Sequence, residues 1–401
     1  MIQYYPAEIW LSVYDLLPKR DLKSFSRCSK YHRKLALPLL LRQITLSRSS
    51  IAAFETGNLK NYRKAVRQIN FKSQDLWELN AFEAINLLRI WTNGLRLFPH
   101  VEQLGLWYST TYEFRFILPL AVLHRISKYE FYPRLRLLSI DNNQIHSHEF
   151  GTIKRFMYKQ DIEAAIALSP ENREFLAPAC NPGLYHENAI PYPPKVQSLY
   201  ITDSDGGSFD LSREINPLPT LLFSRMAALG GTLKYLFIST GALLHNGRLP
   251  SPIFPSVEEL WIRFYGPVGV PIEVYDEIAL RFPSLSHLRI DDFTCDGYDV
   301  IDVIDIYICL SRIQNLQKAL IPWPRWAYNM DLPGDELVEH LVAAEGFGKI
   351  DYIDFRSLNC FSEEGLDGNR QPRMCRVSRK ERRFWERYYM PGHYVAFDDE
   401  Y

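Results

Sequence analysis

An apolar residue, followed by a second three positions on and a third five positions on, recurs along this chain about every 24 to 37 residues, with one longer interval. A stack of repeated strands accommodates such a series more readily than one compact core does. The copies are Val66/Ile69/Phe71, Val101/Leu104/Leu106, Leu135/Leu138/Ile140, Val196/Leu199/Ile201, Leu233/Leu236/Ile238, Val257/Leu260/Ile262, Leu285/Leu288/Ile290 and Ile350/Ile353/Phe355. Leu316/Ala319/Ile321 is a weaker member, and Leu41/Ile44/Leu46 is a candidate opening copy. In a chain that is 47% hydrophobic the triplet alone would recur by chance, so its surroundings carry the argument. Phe98-Pro99-His100, Tyr132-Pro133-Arg134, Phe254-Pro255-Ser256 and Phe282-Pro283-Ser284 each precede a copy, as does Pro193-Pro194-Lys195. Proline cannot donate to a helix and restricts the residue before it, so it ends a helix and turns the chain into a strand. Helical patterns at Ile272 to Phe282 and Val300 to Ile313 lie between strands and supply an outer layer.

The repeat resembles a leucine-rich repeat, whose core reads Leu-x-x-Leu-x-Leu-x-x-Asn-x-Leu. Leu135 to Ile145 matches it in full, with Asn143 in the asparagine position, while the other copies lack that residue. The resemblance covers roughly residues 41 to 358. It implies an α/β solenoid in which each unit is a strand plus a helix or irregular return, and parallel strands form a curved, horseshoe-like sheet.

If the second and third triplet residues point into the core, the strand period of two sends positions +2, +4 and +6 to the other, concave face. Those positions hold Gln103, Gly105 and Trp107; Ser198, Tyr200 and Thr202; Tyr235, Phe237 and Ser239; Glu259, Trp261 and Arg263; His287, Arg289 and Asp291; and Tyr352, Asp354 and Arg356. Trp, Tyr and Arg dominate interface energetics. Trp107, Tyr200, Tyr235, Phe237, Trp261, Arg263, Arg289, Tyr352 and Arg356 are therefore the expected contacts to a client protein. The alternative is that the aromatics pack on one another or on the long insert between Leu135 and Val196.

The first forty or so residues read as three short helices. Pro6 opens the first, Ile9, Val13, Leu16 and Leu17 recur at helical spacing, and Pro18 stops it. Asp21 is the expected N-cap of a second helix carrying Leu22, Phe25 and Cys28; Ser29 caps a third, which contains Leu35 and ends at Pro38. Helices this short are marginal alone. Tyr5-Pro6-Ala7-Glu8-Ile9, Asp21-Leu22, Phe25, Cys28-Ser29 and Leu35 resemble an F-box, whose pattern opens Leu-Pro-x-Glu-Ile and runs through Asp-Leu to an apolar-Cys/Ser-basic segment. The sequence departs from it at Tyr5, usually Leu, and at His32, usually aromatic. The resemblance implies binding to an SKP-type adaptor and, through it, to a cullin, with Pro6, Ile9, Val13, Leu17, Leu22 and Phe25 as the contacts. The alternative is a three-helix cap on the following domain. The combination resembles fungal F-box proteins with degenerate leucine-rich repeats. It divides the chain into an F-box at 1–45, a repeat-like substrate-recognition domain at 46–360 and a C-terminal cap or tail at 361–401.

Lys and Arg number 46 against 47 Asp and Glu, so bulk electrostatics give no reason to expect nucleic-acid binding. Cys28, Cys180, Cys295, Cys309, Cys360 and Cys375 include no Cys-x-x-Cys pair, so neither a metal nor a disulfide framework is expected, and a reducing cytoplasmic or nuclear compartment fits. The start of the chain has no basic leader, and the most apolar stretch, Phe114 to Leu123, is broken by Arg115 and Pro119, so neither a signal peptide nor a membrane span is expected. The common nucleophile-elbow, phosphate-loop, zincin and dinucleotide signatures are absent, and no cofactor is expected. His146, His148 and Glu149 read as ordinary surface, and Asp296, Asp299, Asp302 and Asp305 as the solvated start of a helix. In the long insert, Ile153 to Leu168 reads as a helix and Ala177 to Pro194 as a Pro-rich run; Asp203 to Gly207 reads as an exposed loop. The Arg-rich segment after Glu363 reads as a cap or solvated tail. The expected function is a non-catalytic substrate-recognition subunit of an SKP–cullin–F-box ubiquitin ligase. A scaffold that binds the adaptor outside a ligase is the second reading, and an enzyme with an unrecognised motif a weaker third.

Overall fold

Many of the parallel strands take their frame from the tight turn that precedes them. In the computed structural model, which describes residues 5–71, 79–108, 117–142, 159–180, 193–203, 231–239, 253–264, 270, 272–292, 303–322, 352–356, 373–378 and 383–388, the N–H of the first triplet residue recurrently bonds the carbonyl three residues earlier. Leu135 does so to Tyr132 at 3.2 Å, Val196 to Pro193 and Leu285 to Phe282 at 3.1 Å, and Val257 to Phe254 at 3.4 Å. Proline suits the second position of such a turn, where its fixed φ is already correct and no N–H is required. The aromatic residue before it does more than mark a helix end. Phe98, Tyr132, Phe254 and Phe282 are all buried, and Phe254 stacks on Phe282 with ring centroids 5.2 Å apart.

The strands follow where the triplets place them. One compact unit, built on the described elements up to Val196, holds parallel strands β1 (Gln43–Leu46), β2 (Gln68–Phe71), β3 (Gln103–Tyr108) and β4 (Leu137–Asn142) in chain order. The other, from Gln197 on, holds β5 (Ser198–Asp203), β6 (Tyr235–Ser239), β7 (Glu259–Phe264), β8 (His287–Asp292), β9 (Lys318–Pro322) and β10 (Tyr352–Arg356), again parallel and in order. Position +2 of one triplet pairs with position +2 of the next: Gln68, Gln103 and Leu137 are partners in the first unit, and Ser198, Tyr235, Glu259, His287, Lys318 and Tyr352 in the second. The carbonyl at +1 fixes this register by accepting two N–H groups from the following strand. Glu258 O, for example, takes Ser286 N at 2.8 Å and His287 N at 3.0 Å. All triplet side chains from Val66 to Ile321, including the weak member at Leu316, are at most 3% exposed, as Leu288 is. In the opening copy Leu46 is buried, while Leu41 and Ile44 are half-buried.

The chain is thus α/β with open parallel sheets. In the first unit the helices are α1 (Ala7–Asp15), α2 (Lys19–Cys28), α3 (Lys30–Leu40), α4 (Arg48–Glu55), α5 (Ala81–Gly94), α6 (Ile117–Ile126), α7 (Lys159–Leu168) and α8 (Pro170–Cys180). In the second unit α9 (Ile272–Arg281) and α10 (Val303–Ser311) lie within the two stretches of helical pattern. The helix expected over Ile153 to Leu168 is described from Lys159, and the helix α8 after it was not foreseen. Ser169 caps α8 by accepting from Asn172 N at 3.2 Å, Pro170 sits at its tolerant first position, and Phe175 and Leu176 are buried. The insert thereby completes the helical layer over α5 and α6, with Arg125 and Glu174 paired at 3.4 Å. The C-terminal segment contains two further strands, β11 (Arg373–Ser378) and β12 (Arg383–Tyr388), which extend β10 in antiparallel fashion.

Two helix boundaries near the N-terminus differ from expectation. Pro18, not Asp21, is the N-cap of α2, and Asp21 lies in its first turn, where a carboxylate still complements the helix dipole. Pro38 lies inside α3, whose last turn continues to Leu40. Ser29 caps α3 as expected, accepting from His32 N at 3.1 Å.

Candidate functional site

Cross-strand register turns position +4 of the second unit into a continuous row of Tyr200, Phe237, Trp261, Arg289 and Leu320. Partners in such a row lie within side-chain contact of one another. The Tyr200 and Phe237 rings are 6.1 Å apart, those of Phe237 and Trp261 4.3 Å, and the Arg289 guanidinium lies 4.0 Å above the Trp261 ring. Trp261 is thus flanked by a ring on one side and a guanidinium on the other. Arg263 adds a second cation, 5.3 Å from the Phe237 centroid and 5.2 Å from that of Trp261. Aromatic stacking and cation–π attraction both favour this arrangement.

Asp291, at +6 of β8, ties the row together. Its carboxylate is 2% exposed. It accepts from Trp261 Nε1 at 2.7 Å and from Arg289 Nε at 3.0 and 3.1 Å, and Arg289 Nη2 lies 3.0 Å from Oδ2. At +2, Glu259, His287 and Lys318 are consecutive partners. Burial raises the Glu259 carboxyl and lowers the His287 imidazole, and Lys318 adds to the lowering at His287. Beside them Glu258 takes a hydrogen bond from Lys234 at 2.7 Å and raises that ammonium.

Six of the nine expected client contacts therefore meet on one strand face: Tyr200, Tyr235, Phe237, Trp261, Arg263 and Arg289. They are not equally accessible, for Tyr235 is exposed while Phe237 is buried within the row. Trp107 lies in β3, in the other unit, and Tyr352 and Arg356 lie in β10. The side chains of these three are outside the described residues, as are His146, His148, Glu149, Asp296, Asp299, Asp302 and the loop after Asp203. Asp291 was not among the expected contacts. Its place at +6, beside a Trp and two Arg in register, was the signal available for it.

The N-terminal candidates divide between surface and core. Tyr14, Leu22 and Ala36 form the centre of a small cluster on which Trp10, Leu17, Phe25, Leu35, Leu39 and Leu40 pack. Leu17, Leu22 and Phe25 thus hold α1, α2 and α3 together, whereas Pro6, Ile9 and Val13 are exposed, together with Leu16. His32 occupies an aromatic setting, its ring 4.8 Å from Trp10 and 6.4 Å from Phe25, and its Nδ1 shares a hydrogen bond with the Tyr14 hydroxyl at 2.5 Å. Burial raises the Tyr14 phenol, which keeps it protonated for that bond.

Among the described residues no group of three or more His, Cys, Asp or Glu is placed to hold a metal, and no helix is long and apolar enough to cross a membrane. Neither Cys28 nor Cys309 is bonded in a disulfide. No protein-family model matches the chain, and neither does any curated protein.

Proposed function

We propose that this protein is the substrate-recognition subunit of an SKP–cullin–F-box type ubiquitin ligase. The N-terminal helices dock the adaptor, and the strand face centred on Trp261 holds a client protein. The observation that carries the reading is that α1 is apolar on two sides. Tyr14 and Leu17 pack into the three-helix cluster, while Ile9, Val13 and Leu16 point to water. A short helix with an unpartnered apolar stripe next to Pro6-Ala7-Glu8-Ile9 is what an F-box would offer an adaptor. Of the nominated adaptor contacts, Pro6, Ile9 and Val13 act directly, and Leu17, Leu22 and Phe25 act by holding the helices in place. The strand-and-return units are read as degenerate leucine-rich repeats. The contribution to ubiquitin transfer is proximity, with the chemistry supplied by a separate enzyme.

The test is co-purification, with mass spectrometry, of the full chain, a chain lacking residues 1–45, and the full chain carrying Ile9→Ser and Leu16→Ser. Adaptor and cullin recovered with the full chain alone are the expected result. Adaptor without cullin would favour the scaffold reading, and neither protein with any chain would overturn the docking role of the helices.

A further inference from the structure

Asp291 is an uneconomical residue to place in a sheet. A carboxylate at 2% exposure gives up its hydration, and a buried ion pair seldom stabilises a fold more than well-packed apolar side chains would. Both of its oxygens are nevertheless occupied, by donors from two different side chains that are not neighbours in sequence. Trp261 lies on β7 and Arg289 on β8, and each is also stacked against the other. An indole has two side-chain torsions and many orientations on an open strand face. Here the Phe237 ring on one side, the Arg289 plane on the other and a charged acceptor at the N–H edge leave it one.

We propose that Asp291 is the positioning residue of the client-binding face. Its carboxylate locks Trp261 and Arg289 in a single arrangement, so that the client meets a preformed surface and neither side chain has to be ordered on binding. This inference rests on the reading of that face as the site of client capture. It assigns no contact to Asp291 itself, which acts through Trp261 and Arg289. A purely structural carboxylate would support the fold alone; a positioning one controls the state of the Trp261 edge and, through it, the strength of capture.

The experiment uses the full chain labelled with ¹⁵N-tryptophan, the Trp261 indole resonance being assigned by its loss in Trp261→Phe. In Asp291→Asn the charged acceptor is gone. The Trp261 indole N–H is expected to shift and to exchange with solvent about tenfold faster or more, because a hydrogen bond to a charged acceptor is worth at least that factor. Recovery of the proteins retained by the wild-type chain, quantified by isotope-labelled mass spectrometry, is expected to fall alongside, as it does in Tyr235→Ala. An unmoved Trp261 resonance overturns the proposal. So does a moved resonance with full recovery, in which case a loss in Tyr235→Ala would leave the face itself as the client site. Full recovery in both variants would remove the client-binding reading, and the positioning role with it. Asp291→Glu keeps the charge beside Arg289 but displaces the acceptor by one methylene, and gives the same readouts if the Asn variant does not fold.

Discussion

Leu16 and Leu22 lie on either side of Pro18, and the structure gives them opposite environments, 85% and 4% exposed respectively. Leu22→Ala should remove packing from the small N-terminal cluster at a cost of about 2–5 kcal/mol, whereas Leu16→Ser should change stability by no more than about 0.5 kcal/mol. Chemical denaturation monitored by helical circular dichroism separates them. A Leu22 variant as stable as the wild type would mean that the cluster does not hold the helices. The helical period in the sequence picked out both residues, but it could not tell that Leu22 of α2 turns into the cluster while Leu16, at the end of α1, is left in water, because that depends on how the three short helices pack. Gly94 gives a second residue-scale case. A Cβ built there would lie 2.8 Å from Ile51 Cδ1, the far end of that side chain, so the crowding cost of Gly94→Ala, partly offset by the better helix propensity of Ala, should leave a net loss of no more than about 2 kcal/mol. Adding Ile51→Val should recover part of that loss, as a double-mutant cycle of unfolding free energies would register. No sequence pattern pointed to this contact, since it depends on how closely α4 approaches α5.

At the scale of the element, the turn and the strand act as one unit. Phe282 is buried, stacks on Phe254 and accepts the Leu285 N–H at its carbonyl, so Phe282→Ala should cost about 3–5 kcal/mol. Pro283→Ala should cost well under half of that, because proline at this position chiefly restricts the unfolded chain. Comparable losses in thermal unfolding for the two variants would contradict this division of labour. The strands were legible because the spacing of the triplets reports burial directly, and even Ala319 took its place in the series. The helix α8 was not, since it carries two prolines: Pro170 sits at the first helical position, where proline is tolerated, but Pro178 lies inside the helix and falls in the run that read as Pro-rich. Strands β11 and β12 were hidden by Arg373, Arg376, Arg383 and Arg387, which made the segment read as a charged tail. The row through Tyr200, Phe237, Trp261 and Arg289 was readable from register alone. The two-handed grip of Asp291 was not, because it depends on rotamers.

For the molecule as a whole, burial of titrating side chains sets how stability depends on pH. Desolvation lowers the imidazoles of His124 in the first unit and His287 in the second. The unfolded chain therefore takes up protons first, and both contributions subtract stability as pH falls through the ordinary histidine value of about 6.5. Burial raises the phenols of Tyr129 and Tyr132, which ionise in the unfolded chain before they do in the folded one, so stability should also fall as pH rises past about 10. Thermal midpoints measured across this range should form a dome. Replacing His124 and His287 by Gln should flatten its acid side, and Tyr132→Phe its alkaline side; an unchanged profile would show that these groups do not titrate differently in the two states.

The paired N–H bonds to a single carbonyl have a consequence for how such a chain can change over time. A strand that starts at its own turn and meets its neighbour at one fixed carbonyl keeps no count of the residues between them. Val196 and Leu233 are 37 positions apart and Leu233 and Val257 only 24, yet Ser198, Tyr235 and Glu259 stay aligned. Length is therefore a freely adjustable quantity in the returns and a fixed one in the strands. Residues gained or lost in a return leave Tyr200, Phe237 and Trp261 in line, so this architecture can be remodelled along its margins without disturbing the surface it presents.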